Sequence, residues 1–243
     1  MGNVAGYRAA WIEAAEYKKK WDAFIDGEGE EPARNLELET LAGALNGDIL
    51  VHMHCYRADE MAIILDLSEE FGYKVAAFHH AVESYKIADK LAEYGTCSSM
   101  WADWWGFKME AYDGIRENIP MVHNAGACAI VHSDSDIGIQ RLNQEAAKAW
   151  SDGKRAGIDI PIEVAWQWLS LNPAKSLGID DRTGTLEPGK MADVVVWSAN
   201  PFSVYAQAEK VYIDGALMYD REDPAIQPVM DFELGQPGEG DRK

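Results

Sequence analysis

The chain contains short apolar runs that end in imidazole or carboxylate side chains, and the first run shows this pattern most clearly. Apolar and polar positions alternate in the run 49–55, which places His52 and His54 on one face of a predicted strand. The segment that begins near Met61 lacks this alternation and indicates a helix. We therefore expect His54 where a strand gives way to a loop and a helix, the end of a parallel α/β unit at which ligands bind.

Two later apolar runs, 74–78 and 127–131, repeat this arrangement. The side chains that follow them are His79, His80, His132, Asp134 and Asp136. Three successive strand ends thus present imidazole or carboxylate groups. These are the ligands of a divalent-metal site, and we expect them to meet at one rim.

The remaining patterns predict mostly helices. An N-terminal apolar stripe recurs at spacings of three and four, which favours a helix packed on the parent domain over a partner-binding or membrane-surface helix. Its members are Tyr7, Trp11, Ala14, Tyr17, Trp21 and Phe24. Further helices are predicted at about 83–94, 108–117, 140–150 and 161–171, and the last is expected to break at Asn172-Pro173.

Alternating strands and helices with short links predict an α/β fold with a parallel sheet and right-handed crossovers. The residue pattern changes after Thr183, where glycine and proline separate short runs rich in β-forming residues. An Asp214-Gly215 hairpin turn joins two of these runs, so a small antiparallel portion is expected there.

Composition narrows the functional classes. The chain has 243 residues, is 47% apolar and carries a formal net charge of −19, so it should fold and should not bind nucleic acid. No apolar run reaches the roughly 20 residues that a membrane span needs. The N-terminus shows no signal segment, which leaves the compartment open: cytoplasmic by default, periplasmic if a parent protein is exported.

The three cysteines, Cys55, Cys97 and Cys128, have no paired spacing. Inert buried thiols are therefore the expectation, rather than a disulfide framework.

The last third of the sequence carries a family signature. Asn172-Pro173-Ala174-Lys175, the run 184–197 from Gly184 to Trp197, and Val211-Tyr212-Ile213-Asp214-Gly215 resemble the C-terminal signature of the amidohydrolase superfamily. The imidazolonepropionase-like and Xaa-Pro-dipeptidase-like branch is the most similar. Upstream, the segments that begin at His54, His80 and His132 resemble the ends of the fifth, sixth and eighth barrel strands of that family.

This resemblance implies the C-terminal half of a (β/α)8 TIM-type barrel, strands five to eight, followed by a small antiparallel β-sandwich portion. The implied organisation is a helical segment at 1–47, the half-barrel at 48–180, the sandwich portion at 181–222 and a polar tail at 223–243. His52 and His54 form a His-x-His pair like that of the family's first strand. We place them on strand five because Arg57-Ala58-Asp59 follows them.

By the same resemblance His54 and His80 are metal ligands, and Asp134 is a proton-shuttling catalytic residue and metal ligand. Supporting or substrate-pocket roles are expected for His52, His79, His132, Asp136, Arg57 and Trp104. The simpler readings are a buried, backbone-bonded histidine for His52, packing for His79 (which period two places on the opposite side of its strand from His80), helix capping for Asp136 and loop packing for the tryptophans.

The expected function is a metal-dependent hydrolase of an amide or cyclic amide C–N bond, with Zn²⁺ as the metal and a small amide or dipeptide-like molecule as the substrate. One alternative is a non-catalytic half-barrel that needs an N-terminal half or self-association, since open sheet edges call for cover. The other keeps the fold and hydrolyses a lactone or phosphoester.

Overall fold

The computed structural model describes residues 2–227. They divide into two compact units, with the boundary between Gly178 and Ile179. None of the helices in the described part of the chain is long and apolar enough to cross a membrane.

Two helices open the first unit, α1 (Gly2–Ile25) and α2 (Leu36–Asn46). The apolar stripe of α1 packs inside the unit as expected, with Trp11 buried and stacked on Tyr73 at a ring separation of 4.1 Å. The side chain of Asn35 caps α2 by accepting hydrogen bonds from two backbone N–H groups of its first turn.

A parallel four-stranded sheet forms the centre of the first unit, in the order β1-β2-β3-β4. Its strands are β1 (Val51–Cys55), β2 (Val75–His80), β3 (Cys97–Met100) and β4 (Cys128–Val131). The other helices are α3 (Ala58–Phe71), α4 (Ala88–Tyr94), α5 (Asn118–Asn124), α6 (Leu142–Arg155), α7 (Ile162–Ala165) and α8 (Leu171–Ser176). The expected alternation of strand and helix is therefore present.

The expectation of a helix at 108–117 was wrong. A short 3₁₀ turn, Met109–Ala111, occupies that segment, and the helix before β4 is α5, further along. Gly114 in this segment packs closely against Trp105, since a Cβ there would lie 2.7 Å from the Cβ of Trp105. The carbonyl of Asp113 accepts a hydrogen bond from the Tyr85 hydroxyl at 2.9 Å instead of a helical N–H.

The single helix expected at 161–171 is present only in pieces, and the break expected at Asn172-Pro173 is wrong. The segment contains α7, a 3₁₀ turn and α8, and Asn172-Pro173 lies inside α8. The chain turns three residues before Pro173, at Ser170 (φ −129°, ψ −80°). Pro173 is tolerated because the N–H groups of a first helical turn have no intrahelical acceptor.

Two of the three cysteines form a disulfide, which corrects the expectation of inert thiols. Cys97 and Cys128 are directly paired in the register of β3 and β4, with Cα atoms 4.4 Å apart, and their sulfurs are bonded. Spacing along the chain could not show that these positions are neighbours across a sheet. Cys55 is a free, buried thiol, and burial raises its pKa to about 12.

The second unit contains a three-stranded antiparallel sheet, β5 (Val194–Trp197), β6 (Ala208–Ile213) and β7 (Ala216–Asp220). The predicted Asp214-Gly215 turn joins β6 to β7 with φ values of 48° and 80°. Of the tail expected at 223–243, residues 223–227 hold a 3₁₀ turn, and the rest lies outside the described residues.

Candidate metal centre

The imidazoles of His54 and His80 meet at the carboxyl end of the parallel sheet. His54 is near the end of β1 and His80 is the last residue of the neighbouring strand β2. Nδ1 of His54 and Nε2 of His80 are 2.7 Å apart, so one ring donates a hydrogen bond to the other according to the tautomer. Two nitrogens from adjacent strand ends thus face each other across a short gap.

The backbone of His80 determines which way its ring points. His80 and Ala81 have φ values of 73° and 41°. These values lie in the left-handed region of backbone conformation, which residues with a Cβ adopt much less often than glycine does. This conformation ends the strand alternation, so His79 and His80 contact the same group of imidazoles. The expectation that His79 lies on the opposite side was wrong because period two holds only while the backbone stays extended.

His52 and His79 form a second pair beside the first. Nδ1 of His52 is 2.9 Å from Nε2 of His79, and Nε2 of His52 is 3.0 Å from the carbonyl oxygen of Ser176. Because a carbonyl only accepts, Nε2 of His52 carries the proton, and Nδ1 of a singly protonated ring accepts from His79. The pair is therefore held by α8, with His79 stacked on His54 at 5.6 Å.

Asp134 reaches the same rim from the loop after β4. Its Oδ2 is 3.8 Å from Nδ1 of His80, which is beyond hydrogen-bond distance. Asp134 also has a left-handed backbone, with φ 48°. The structure thus brings together His54, His80 and Asp134, the three residues on which the expected metal site depends.

Burial sets the protonation of the central histidines. It lowers the pKa of His80 to about 4 and that of His132 to about 3, so both rings are neutral at pH 7. Nδ1 of His80 and Nε2 of His132 are buried without a hydrogen-bond partner. Neutral imidazoles with unpaired nitrogens are good ligands for zinc. Within residues 2–227, however, no three His, Cys, Asp or Glu side chains surround a common metal position.

Comparison with known proteins identifies the family. The family model described as "Amidohydrolase family" matches residues 138–219. A crystal structure of an amidohydrolase from Thermotoga maritima MSB8 is 32% identical, with a TM-score of 0.79 over 91% of this chain. The chain belongs to the amidohydrolase superfamily. Its parallel α/β sheet fits part of a (β/α)8 barrel.

This member of the superfamily spans only part of its relatives. It covers 56% of the Thermotoga maritima chain. Amidohydrolase tasK of Hapsidospora irregularis is 30% identical over 93% of this chain. The matched region is only 24% of the length of tasK. An N-acetylglucosamine-6-phosphate deacetylase of Vibrio furnissii is 43% identical over 63 residues, 26% of this chain and 14% of its own.

Three other expected site residues bond to their own neighbours in this amidohydrolase-superfamily chain. Arg57 pairs with Asp59 at 3.0 Å, and Asp136 accepts a hydrogen bond from the backbone N–H of Ile137. Trp104 is 43% exposed and stacks on Trp101. Their expected supporting or pocket roles remain predictions.

The aromatic wall around His80 was not expected from the sequence, in which Tyr56 had no assigned role and Trp101 was one of the loop tryptophans that could line a pocket. Tyr56 stacks on one part of the His80 ring at 4.8 Å, and Trp101 stacks on it at 4.7 Å. Lys108 lies over the ring of Tyr56, with Nζ 3.9 Å from the ring centre. Tyr56 and Trp101 each come directly after a strand, at positions 56 and 101, which is the signal that could have drawn attention to them.

Proposed function

We propose that this chain is the C-terminal part of a metal-dependent hydrolase that cleaves the C–N bond of an amide or cyclic amide. On this proposal its four parallel strands correspond to strands five to eight of the family barrel, and β5–β7 belong to the family's small β-sandwich. The observation that supports it most is the meeting of His54, His80 and Asp134 at one rim.

His54 and His80 are the residues that would hold the metal, with Asp134 beside them. The fit rests on two features of the chain: the lowered pKa of His80, which leaves its ring neutral, and its buried Nδ1 without a hydrogen-bond partner. A bound Zn²⁺ would lower the pKa of its water to about 7 and would polarise a carbonyl oxygen.

Asp134 is proposed as the residue that moves the proton. Its side chain is 56% exposed, so its carboxylate can reach a water molecule at the rim. It would accept a proton from the attacking water and donate that proton to the leaving nitrogen.

The substrate is proposed to be a small amide or dipeptide-like molecule. The name of the Vibrio furnissii relative, a deacetylase, supports an N-acyl group as the part that is cleaved. The half-buried ring of Tyr56 beside His80 offers an apolar surface to the group next to the scissile bond.

Zinc binding to the full chain tests the metal centre. H54N/H80N should abolish stoichiometric Zn²⁺ binding in isothermal titration calorimetry, whereas H123N should not. His123 is a matched control because it bonds to Trp168 and contacts none of the cluster histidines. Equal zinc binding by the two variants would refute the assignment.

Turnover tests the role of Asp134. In a protein that carries all eight strands around this sequence, D134N should abolish hydrolysis of the substrate while His54 and His80 retain zinc. An undiminished rate in D134N would refute the proton-transfer role.

A second candidate is a half-barrel that acts only with a partner. Its support is that β1 and β4 are the two edges of the sheet, and that Ile49 and Leu50 before β1 are each 41% exposed. The isolated chain should then be oligomeric and weakly active or inactive. A monodisperse monomer in light scattering would contradict this candidate.

A further inference from the structure

Trp101 joins the strand ends that carry the candidate site, although the sequence marked it only as one of the loop tryptophans that could line a substrate pocket. It follows β3 directly and is 7% exposed. Its indole stacks on His80 at the end of β2 at 4.7 Å and on His132, the residue directly after β4, at 5.0 Å, with interplanar angles of 24° and 26°. One rigid ring system thus lies against imidazoles from both neighbouring strands.

The indole N–H makes a specific bond to the loop that carries Asp134. Nε1 of Trp101 donates to the carbonyl oxygen of Ser133 at 2.9 Å. That carbonyl belongs to the peptide plane between Ser133 and Asp134. Rotation of this plane about the N–Cα bond of Asp134 is the φ angle of Asp134, so the bond restrains that angle directly.

This angle needs a restraint. Asp134 has φ 48°, a left-handed conformation that carries a steric cost at a residue with a Cβ. The loop's own contacts hold the residues after Asp134: Ser135 Oγ accepts from the Gly138 N–H at 3.0 Å, and the Ser135 carbonyl accepts from the Ile139 N–H. The Trp101 bond holds the side before it.

We propose that Trp101 is a positioning residue: it holds the Ser133–Asp134 peptide, and with it the Asp134 carboxylate, beside His80. This inference rests on the proposed function and deepens it. Stacking fixes the indole against His80, and the indole N–H fixes Asp134 relative to the same ring. Losing either contact frees the carboxylate to leave the rim.

The test uses the full 243-residue chain and two changes at position 101. W101F keeps a stacking ring and removes the N–H donor. Replacement of Trp101 by β-(3-benzothienyl)alanine, through amber suppression, keeps the shape of the indole and puts sulfur in place of the N–H, so it covers the case in which W101F fails to fold. W150F is the matched control, because Nε1 of Trp150 donates to the carbonyl of Ile160 at 2.7 Å.

Three readouts are taken. In metal-free protein, backbone amides of the loop 132–141 should exchange with D₂O at least about tenfold faster in both Trp101 variants than in W150F. Zinc affinity should fall about tenfold, the usual effect of losing a residue that orients a ligand, and the visible spectrum of bound Co²⁺ should change toward that of D134N. W150F should leave all three measurements as in the wild type.

Unchanged loop exchange in the Trp101 variants would overturn the proposal. Faster exchange with unchanged zinc affinity and an unchanged Co²⁺ spectrum would overturn it too, because Trp101 would then support the fold only. If wild-type zinc binding is no tighter than that of H54N/H80N, the proposed metal centre fails, and loop exchange alone decides the role of Trp101.

Discussion

The two sheets of this chain differ in how much of their apolar surface is covered. In the parallel sheet, β2 and β3 are buried on both faces, and Phe78 at the centre of β2 is 0% exposed. In the antiparallel sheet, apolar residues of all three strands remain open: Val195, Val196, Ile213, Leu217 and Met218 are 39–55% exposed. β2 and β3 thus lie within a packed core, whereas the three described antiparallel strands keep much of their apolar surface exposed.

This difference shows that backbone hydrogen-bond pairing and the burial of apolar side chains contribute separately to the stability of a sheet. The second unit keeps its strands together by backbone bonds and by a few side-chain contacts. The carboxylate of Asp193, for example, accepts from the Thr183 hydroxyl at 2.7 Å and from the Asp214 N–H at 2.9 Å. In the first unit, packing supplies most of the stability, so changes in apolar volume should matter much more there.

The largest expected effect is the loss of a buried ring from the parallel sheet. F78A should lower the free energy of unfolding of the first unit by about 3–5 kcal/mol, because it removes a fully buried side chain and leaves a cavity. V196A in β5 should cost roughly 1 kcal/mol or less, because Val196 is 39% exposed. Denaturant unfolding measures both.

If V196A lowered the free energy of unfolding as much as F78A does, the proposed difference between the two sheets would be wrong. It would mean that in solution another surface covers the antiparallel sheet.

The next effect comes from the disulfide between β3 and β4. Its removal in C97A/C128A should cost about 2–4 kcal/mol in the first unit, because the cross-link restricts the unfolded chain. Reducing agent should have a similar effect on the wild type and none on the double variant.

A thiol count checks the bond directly. Without reductant, denatured protein should react with one equivalent of Ellman's reagent, from Cys55. Three equivalents would show that Cys97 and Cys128 are not bonded.

The smallest expected effect is a difference between the two units in how much stability each loses from pH 7 to pH 6, measured in metal-free protein. Burial lowers the pKa of His80, His123 and His132 below 6.5, so the unfolded chain takes up protons first and the first unit loses stability as pH falls through this range. In the second unit, hydrogen bonds lower the pKa of Asp193 below 3.8. That contribution is complete above pH 3.8 and is lost only below it.

Hydrogen exchange measured at pH 7 and pH 6, corrected for the intrinsic rates, can follow the two units separately. Protection should fall in the first unit and stay constant in the second. H123Q should reduce the fall slightly. Equal losses in both units would contradict the assignment of acid sensitivity to the buried histidines.

Strand positions could be predicted from the sequence because strands of this sheet are short apolar runs with glycine-terminated helices between them. Gly72 and Gly95 end α3 and α4 with positive φ, as residues without a Cβ can do at low cost. The hairpin at Asp214-Gly215 was predictable for the same reason.

What the sequence could not show depends on contacts between distant residues. The turn of His80 toward His54 needs its left-handed backbone, which no rule for histidine predicts. The disulfide needs the register of β3 and β4. The roles of Tyr56 and Trp101 as a wall around His80 depend on three strand ends meeting, and a loop rich in tryptophan does not indicate which ring faces inward.

The consecutive left-handed residues His80 and Ala81 have a consequence for engineering and for evolutionary drift. Ala81 is completely buried at φ 41°, where glycine would meet no steric penalty, so A81G is a candidate thermostabilising change that leaves the imidazoles in place. The same relief at residue 80 would delete the ring that faces His54. A lineage released from selection for chemistry should therefore drift toward glycine at 80, and retention of histidine there among orthologues would record that the activity is still in use.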